Sequence, residues 1–340
     1  MNIIETSKLT KVFPGDIRAV DEVDFEIKAG EIFGFLGPNG AGKTTTIKML
    51  NTLLQPTSGT AVVVGFDIHK DPAEVRKNIG YVAQDVGVDE HATGRENLTL
   101  YGHFYRLDGR TIKQRVKELF ELVDLTGQED RLVSTYSGGM RKRLDIAMGL
   151  IHQPQLIFLD EPTVGLDPQT RVHIWDYIIN LAKAMGVTIF LTTHYMEEAD
   201  RLADRVAIMD LGKIMVMGTP DELKRSIGGD VVTLSPCTTV DEECKEFIRR
   251  TESALSGKPF VTGTQVTDGK LAVYVNKGES AVPGIMRLLA SEGIEVDSLS
   301  VSRPSLNDVF LKYTGHTIRA EEGRATTYAE MSRKRTRRLR

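Results

Sequence analysis

The stretch Gly37-Pro38-Asn39-Gly40-Ala41-Gly42-Lys43-Thr44 has the residue types and spacing of a loop that holds polyphosphate. Its glycines let backbone N–H groups point at phosphate oxygens, and a helix starting there adds partial positive charge. Lys43 then reaches the β- and γ-phosphates and the Thr44 hydroxyl completes a Mg2+ shell, with Thr45 counted among the nucleotide contacts. Two carboxylates end the apolar run Leu156-Ile157-Phe158-Leu159-Asp160-Glu161. Asp160 suits a direct or water-mediated contact to Mg2+, and Glu161 suits a base that orients attacking water. A second glycine motif, Ser137-Gly138-Gly139-Met140-Arg141, opens a stretch in which Leu144, Ala147, Met148 and Ile151 recur at helical spacing. A hydroxyl and two glycines at a helix start offer a second anion site. Gly165-Leu166-Asp167 follows, then the strand-like Thr188–Thr193 ending at His194.

These residues need a frame. Ile32-Phe33-Gly34-Phe35-Leu36 reads as a buried strand feeding the glycine loop, and Thr45–Leu50 as the start of a helix leaving it. Ile- and Val-rich stretches at 2–28 and 60–66 read as strands around the turn Pro56-Thr57-Ser58-Gly59. Residues from about 90 to 150 are mostly helical, with Asn97–Tyr105 and Ile112–Val123 as the clearest segments. Strands return at 156–160, 188–193 and 205–210, with a helix over Arg171–Met185, so a largely parallel sheet is expected. Gly212–Gly218 reads as a late hairpin and Pro220–Ile227 as a short closing helix.

A composition shift at Gly228-Gly229-Asp230 begins a second unit, predicted as a strand (Val231–Leu234), a helix (Val240–Glu252) and two strands (Phe260–Val266, Lys270–Val275) around a turn at Asp268-Gly269. A helix (Ala281–Ser291), a strand (Ile294–Val301) and a last helix (Leu306–Tyr313) complete it. The order βαββαβ predicts a ferredoxin-like domain, with docking or dimerisation as its role. The net charge of -4 gives no overall drive toward nucleic acid. Cys237 and Cys244 lack zinc spacing and point to a reducing compartment. No run approaches the roughly 18 apolar residues of a membrane helix, and the opening Met1-Asn2-Ile3-Ile4-Glu5 does not read as a signal peptide. A membrane role therefore calls for another polypeptide.

Over about residues 1–225 the chain resembles the nucleotide-binding subunit of ATP-binding-cassette (ABC) transporters, with the family's motifs in the family's order. The resemblance implies an α/β fold, a P-loop ABC ATPase cassette with a mainly parallel core sheet, an antiparallel β subdomain and a helical insert. By position, Gly37–Thr44 is the Walker A loop, Gln84 the Q-loop glutamine and Ser137-Gly138-Gly139 the signature. Asp160 is the Walker B aspartate, Glu161 the catalytic glutamate, Asp167 the D-loop aspartate, His194 the switch histidine, and Phe13 the aromatic that stacks on adenine. Gln84 is implied to sense the γ-phosphate or Mg2+. Tyr136 and Met140 depart from the family's usual Leu and Gln.

The C-terminal unit, with Pro304-Ser305-Leu306-Asn307-Asp308-Val309-Phe310, looks like the appendix of the DrrA-like drug-export subfamily. That implies an ATPase exporting a hydrophobic drug or lipid through separate integral-membrane permease subunits, peripheral to the cytoplasmic face of the membrane. The expected domains are 1–228, 229–316 and a basic tail at 317–340, read as a solvated segment or one drawn to anionic lipid. One chain offers its Walker A and signature loops to different sites. A two-fold homodimer would instead trap two ATP molecules, each between Lys43 of one copy and Ser137 of the other. The rival reading is a soluble ABC ATPase acting on ribosomes or DNA, which resembles paired cassettes or cassettes with long coiled coils. Neither feature is present here.

Overall fold

A computed structural model describes residues 1–236, 241–267 and 269–315. Cys237, Val240, Asp268 and the basic tail lie outside the described residues. The chain divides into two compact units, Met1–Met217 and Gly218 onward.

In the first unit, β1 (Asn2–Phe13), β2 (Ile17–Val23) and β3 (Glu26–Lys28) precede β4 (Ile32–Leu36) and α1 (Lys43–Leu50). Next come β5 (Ser58–Val63), β6 (Phe66–Asp67), α2 (Pro72–Asn78) and β7 (Ile79–Val82). The helical stretch contains α3 (Gly94–Phe104), α4 (Gly109–Leu122), a 3-10 turn at Val133–Thr135 and α5 (Gly138–Gly149). β8 (Leu156–Asp160), α6 (Pro168–Met185), β9 (Thr188–Thr193), α7 (Met196–Leu202), β10 (Arg205–Asp210) and β11 (Lys213–Gly218) follow.

One sheet is antiparallel, ordered β2-β1-β5-β6 with β3 also on β1. The other is ordered β11-β10-β4-β9-β8-β7, and its pairings from β10 to β7 are parallel. Strands β4, β8 and β9 are buried at every position, which explains why they read as continuous apolar runs. Phe25, Phe33, Phe35, Phe158 and Phe190 stack and tilt against one another in the core, with Phe35 and Phe190 centroids 5.3 Å apart. A second core joins the other side of that sheet to the helices through Leu98, Leu119, Phe120, Leu144, Ile157 and Leu191.

Caps move several expected boundaries. Thr93 and Glu96 form a capping box, so α3 starts at Gly94 rather than Asn97. Asp108 accepts from Arg110 N and Thr111 N and starts α4 at Gly109. Asp167 accepts from Thr170 N and starts α6 at Pro168, ahead of the expected Arg171. The segment 212–218 is no hairpin in itself. Leu211 and Gly212, both at positive φ, form the tight turn between β10 and β11. The short elements α2, β7 and α7 have no counterpart in the sequence reading.

The second unit runs α8 (Pro220–Ser226), β12 (Asp230–Ser235), α9 (Asp241–Leu255), β13 (Val261–Thr267), β14 (Lys270–Val275), α10 (Gly278–Ser291), β15 (Ser298–Ser302) and α11 (Leu306–Thr314). Its sheet is antiparallel in the order β13-β14-β12-β15, the ferredoxin-like arrangement. Val232, Leu234, Leu271, Val273, Ile285 and Leu289 form its core. The unit begins before the expected 228/229 boundary because α8 packs on α11, where Lys312 Nζ donates to Ser226 O at 2.7 Å. Residues 294–297 precede the last strand instead of opening it.

Candidate functional site

β4 runs into the glycine loop through positions that exclude side chains. A Cβ at Gly37 would meet the Met209 carbonyl oxygen at 2.2 Å. Gly42 sits at φ 107°, where a Cβ would meet Ala19 O at 2.3 Å. Gly42 offers no side chain to cap α1, which leaves first-turn N–H groups for an outside anion. Lys43 opens α1, is buried, and folds back over the loop, donating to Gly37 O at 2.7 Å and Pro38 O at 3.0 Å. Pro38 and Ala41 are buried while Asn39 and Gly40 stand exposed at the tip.

The acidic pair meets this loop from β8. Thr44 Oγ1 donates to Asp160 Oδ1 at 3.0 Å, and Thr192 Oγ1 from β9 donates to the same oxygen at 2.6 Å. Hydroxyl and carboxylate oxygens side by side are the donor set of a hard cation. Among the described residues no cluster of three or more His, Cys, Asp or Glu competes for that role. Glu161 takes φ 49°, a left-handed value that costs a non-glycine residue about 1–3 kcal/mol. Its N–H donates to Thr192 O and Thr192 Oγ1, both at 3.1 Å, which holds the strained turn.

That turn brings the Glu161 carboxylate between Lys43 and His194. Oε1 lies 3.3 Å from Lys43 Nζ and Oε2 lies 3.3 Å from His194 Nδ1. His194 Nδ1 faces that oxygen without being aligned for a hydrogen bond. Burial pushes the Glu161 carboxyl up, but His194 and Lys43 together hold it below the ordinary carboxylate range. An ionised carboxylate thus sits at the C-terminal end of a parallel strand, beside a lysine and a histidine.

The structure brings Lys43, Thr44, Asp160, Glu161 and His194 together. Gln84 is exposed and lines a cleft with Gly138, Arg141, Lys142 and Gly165. Lys142 Nζ donates to Ala83 O at 3.0 Å and Asp145 accepts from Gly87 N at 3.3 Å, tying the segment around Gln84 to α5. Ser137 caps α5 through Met140 N and is exposed, Gly138 is exposed and Gly139 is buried. Asp167 is exposed at the start of α6, and Thr45 is partly buried in α1. Phe13 closes β1 opposite Ile17, half-buried, with Lys11 Nζ 5.4 Å from its ring centre.

Sequence reasoning passed over Thr192, which holds both carboxylate residues but reads as one more strand position. It also passed over Lys142, Asp145 and Glu198, whose burial only the fold reveals.

The family model described as "ABC transporter" matches residues 20–164, and that of the "ATP-binding protein DrrA1-3-like, C-terminal domain" matches residues 218–314. The daunorubicin/doxorubicin resistance ATP-binding protein DrrA of Streptomyces peucetius is 43% identical over 313 residues, covering 92% of each chain. This chain belongs to the DrrA-like ABC ATP-binding proteins. Among solved structures, cbiO1 of Clostridium perfringens superposes with a TM-score of 0.62 at 28% identity, covering 66% of this chain and 93% of that one. A dimeric ATP-binding cassette, MJ0796 bound to ADP and Pi, matches with a TM-score of 0.57 at 25% identity, covering 64% of this chain and 98% of that one. The DrrA-like protein described here is accordingly an ATPase that binds adenine nucleotide. No helix among its described residues is long and apolar enough to cross a membrane.

Proposed function

We propose that this DrrA-like chain powers export of a hydrophobic drug or lipid, acting as a homodimer on permease subunits carried by separate chains at the cytoplasmic face of the membrane. The observation that carries the chemistry is the convergence of Lys43, Thr44, Asp160, Glu161 and His194 within one buried cluster. Lys43 faces the β- and γ-phosphates, displacing its present carbonyl contacts as it does so. Thr44 and Asp160 would hold Mg2+, which would supply charge neutralisation on the phosphate oxygens. Glu161 orients water and accepts its proton as the water oxygen bonds to the γ-phosphorus and the bond to the β-phosphate oxygen breaks. His194, 3.3 Å from the other oxygen of that carboxylate, would hold the γ-phosphate end.

The homodimer reading is supported by Ser137–Gly139 standing in a different cluster from Lys43, and by the dimeric cassette among the structural relatives. Phe13 would flank the adenine, and Asp167 the dimer seam. The export reading is supported by the daunorubicin/doxorubicin resistance relative, which matches the chain across both units. The rival reading, action on ribosomes or DNA, is not favoured by that match. The test is reconstitution in vesicles with its membrane partner and a fluorescent anthracycline. ATP-dependent dye movement that stops with Glu161→Gln is expected, and ATP hydrolysis indifferent to partner and dye would refute the export reading.

A further inference from the structure

Glu198 is a fully buried carboxyl for which the chemistry above has no use. It lies in α7, the helix that follows His194. Its Oε1 accepts from Thr163 Oγ1 at 2.7 Å and from Trp175 Nε1 at 2.8 Å, whereas Oε2 has no aligned hydrogen bond. Three segments meet at this one group. Thr163 belongs to the loop that leaves Glu161, Trp175 to the helix that Asp167 caps, and Glu198 to the helix that begins after His194.

We propose that Glu198 is a positioning residue for ATP hydrolysis, whose carboxyl fixes the loop after Glu161 to the helices following Asp167 and His194. Glu161 holds a strained left-handed conformation, which persists only where its surroundings over-determine it. The Thr192 contacts pin it on the strand side, and the Thr163–Glu198 contact pins the chain on the other. The approach of Glu161 to both Lys43 and His194 therefore depends on a group that touches none of them. A carboxyl wholly out of water costs more to hold ionised than neutral. Burial pushes the Glu198 carboxyl up in the same sense, against contacts from Thr193, Thr163 and Trp175 and the charge of Arg171. Glutamine reproduces a neutral acid here, keeping an oxygen for Thr163 and Trp175.

The inference rests on Glu161 as the base, and the experiment keeps the two separable. Steady-state ATPase kinetics and tryptophan emission are measured for Thr163→Val, Glu198→Ala and Glu198→Gln, with Glu161→Gln alongside. Trp175 is the chain's single tryptophan, so its emission reports the contact directly. Thr163→Val is expected to lower kcat about 3–10-fold, the rate equivalent of one neutral hydrogen bond, with KM held within about twofold. Glu198→Ala lowers kcat at least as far and shifts Trp175 emission, and Glu198→Gln recovers most of both. If Glu198→Ala fails to fold, Thr163→Val and Glu198→Gln still decide the matter. Parental kcat in Thr163→Val beside a stalled Glu161→Gln overturns the positioning role alone, as does a loss confined to KM. Parental turnover in Glu161→Gln overturns the base and the positioning role together.

Discussion

Replacing Glu161 with glutamine sets two effects of one carboxylate against each other. Its Oε1 lies 3.3 Å from Lys43 Nζ, with both side chains almost fully buried. Removing one partner of a buried pair ordinarily costs about 3–5 kcal/mol because the other charge is stranded. Lys43 keeps its bonds to Gly37 O and Pro38 O, so the loss here is smaller, on the order of 1–3 kcal/mol. At about 2–4 °C per kcal/mol for a unit of this size, the nucleotide-free Tm should fall by roughly 2–12 °C. Polyphosphate restores the missing anion and no longer meets a carboxylate, so the Tm gain on adding ATP should be larger in Glu161→Gln than in the parent. Turnover should drop about 10²–10⁴-fold, the weight of general-base help. Thermal shift with and without MgATP, paired with phosphate release, reads all three quantities. An unchanged nucleotide-free Tm would refute the pairing with Lys43, and turnover within about twofold of the parent would refute the base assignment.

Lys43→Ala should weaken ATP affinity as well as rate, since it removes the cation over the phosphate loop; calorimetry showing parental affinity would reject the loop as the nucleotide site. A bulky residue at Ser137 should abolish ATP-driven dimerisation in the Glu161→Gln background while monomer binding of ATP persists, and light scattering that still shows dimer would remove Ser137 from the interface. His152 is held down to about 4 by burial, against the pull of the Ile79 carbonyl, and stacks on Tyr105. Because its folded value lies below the ordinary 6.5, stability should be whole above pH 6.5 and decline as pH falls toward 4. His152→Gln should flatten that part of the Tm–pH curve, and an unaltered slope would assign it to other groups. A chain ending at Met217 should fold and bind ATP, because every proposed nucleotide contact lies upstream; a folded but non-binding product would draw the second unit into the site.

Much of this site was legible because its constraints are local. A glycine loop between a strand and a helix needs particular residues in a row, and backbone sterics write them into the chain: Gly37 and Gly42 have no room for a Cβ. Asp160 and Glu161 were readable for a related reason, since a fully buried parallel strand must stop being apolar where it reaches a cleft. What escaped were contacts between distant segments. Thr192 holds Asp160 and Glu161 across the sheet, yet nothing in Thr-Ile-Phe-Leu-Thr-Thr marks one threonine above another. The segment around Gln84 is likewise tied down by Lys142 and Asp145, buried partners on α5 that no local pattern marks. The same gap hid α2, β7 and α7, each too short to show a period, and the early start of the second unit, which depends on α8 meeting α11. Residue types along the chain therefore point to the groups proposed for the chemistry, and the cross-segment bonds show what holds those groups in place. Glu198 belongs wholly to the second kind. Nothing in Met-Glu-Glu-Ala-Asp sets it apart, and only the fold turns it inward onto Thr163 and Trp175.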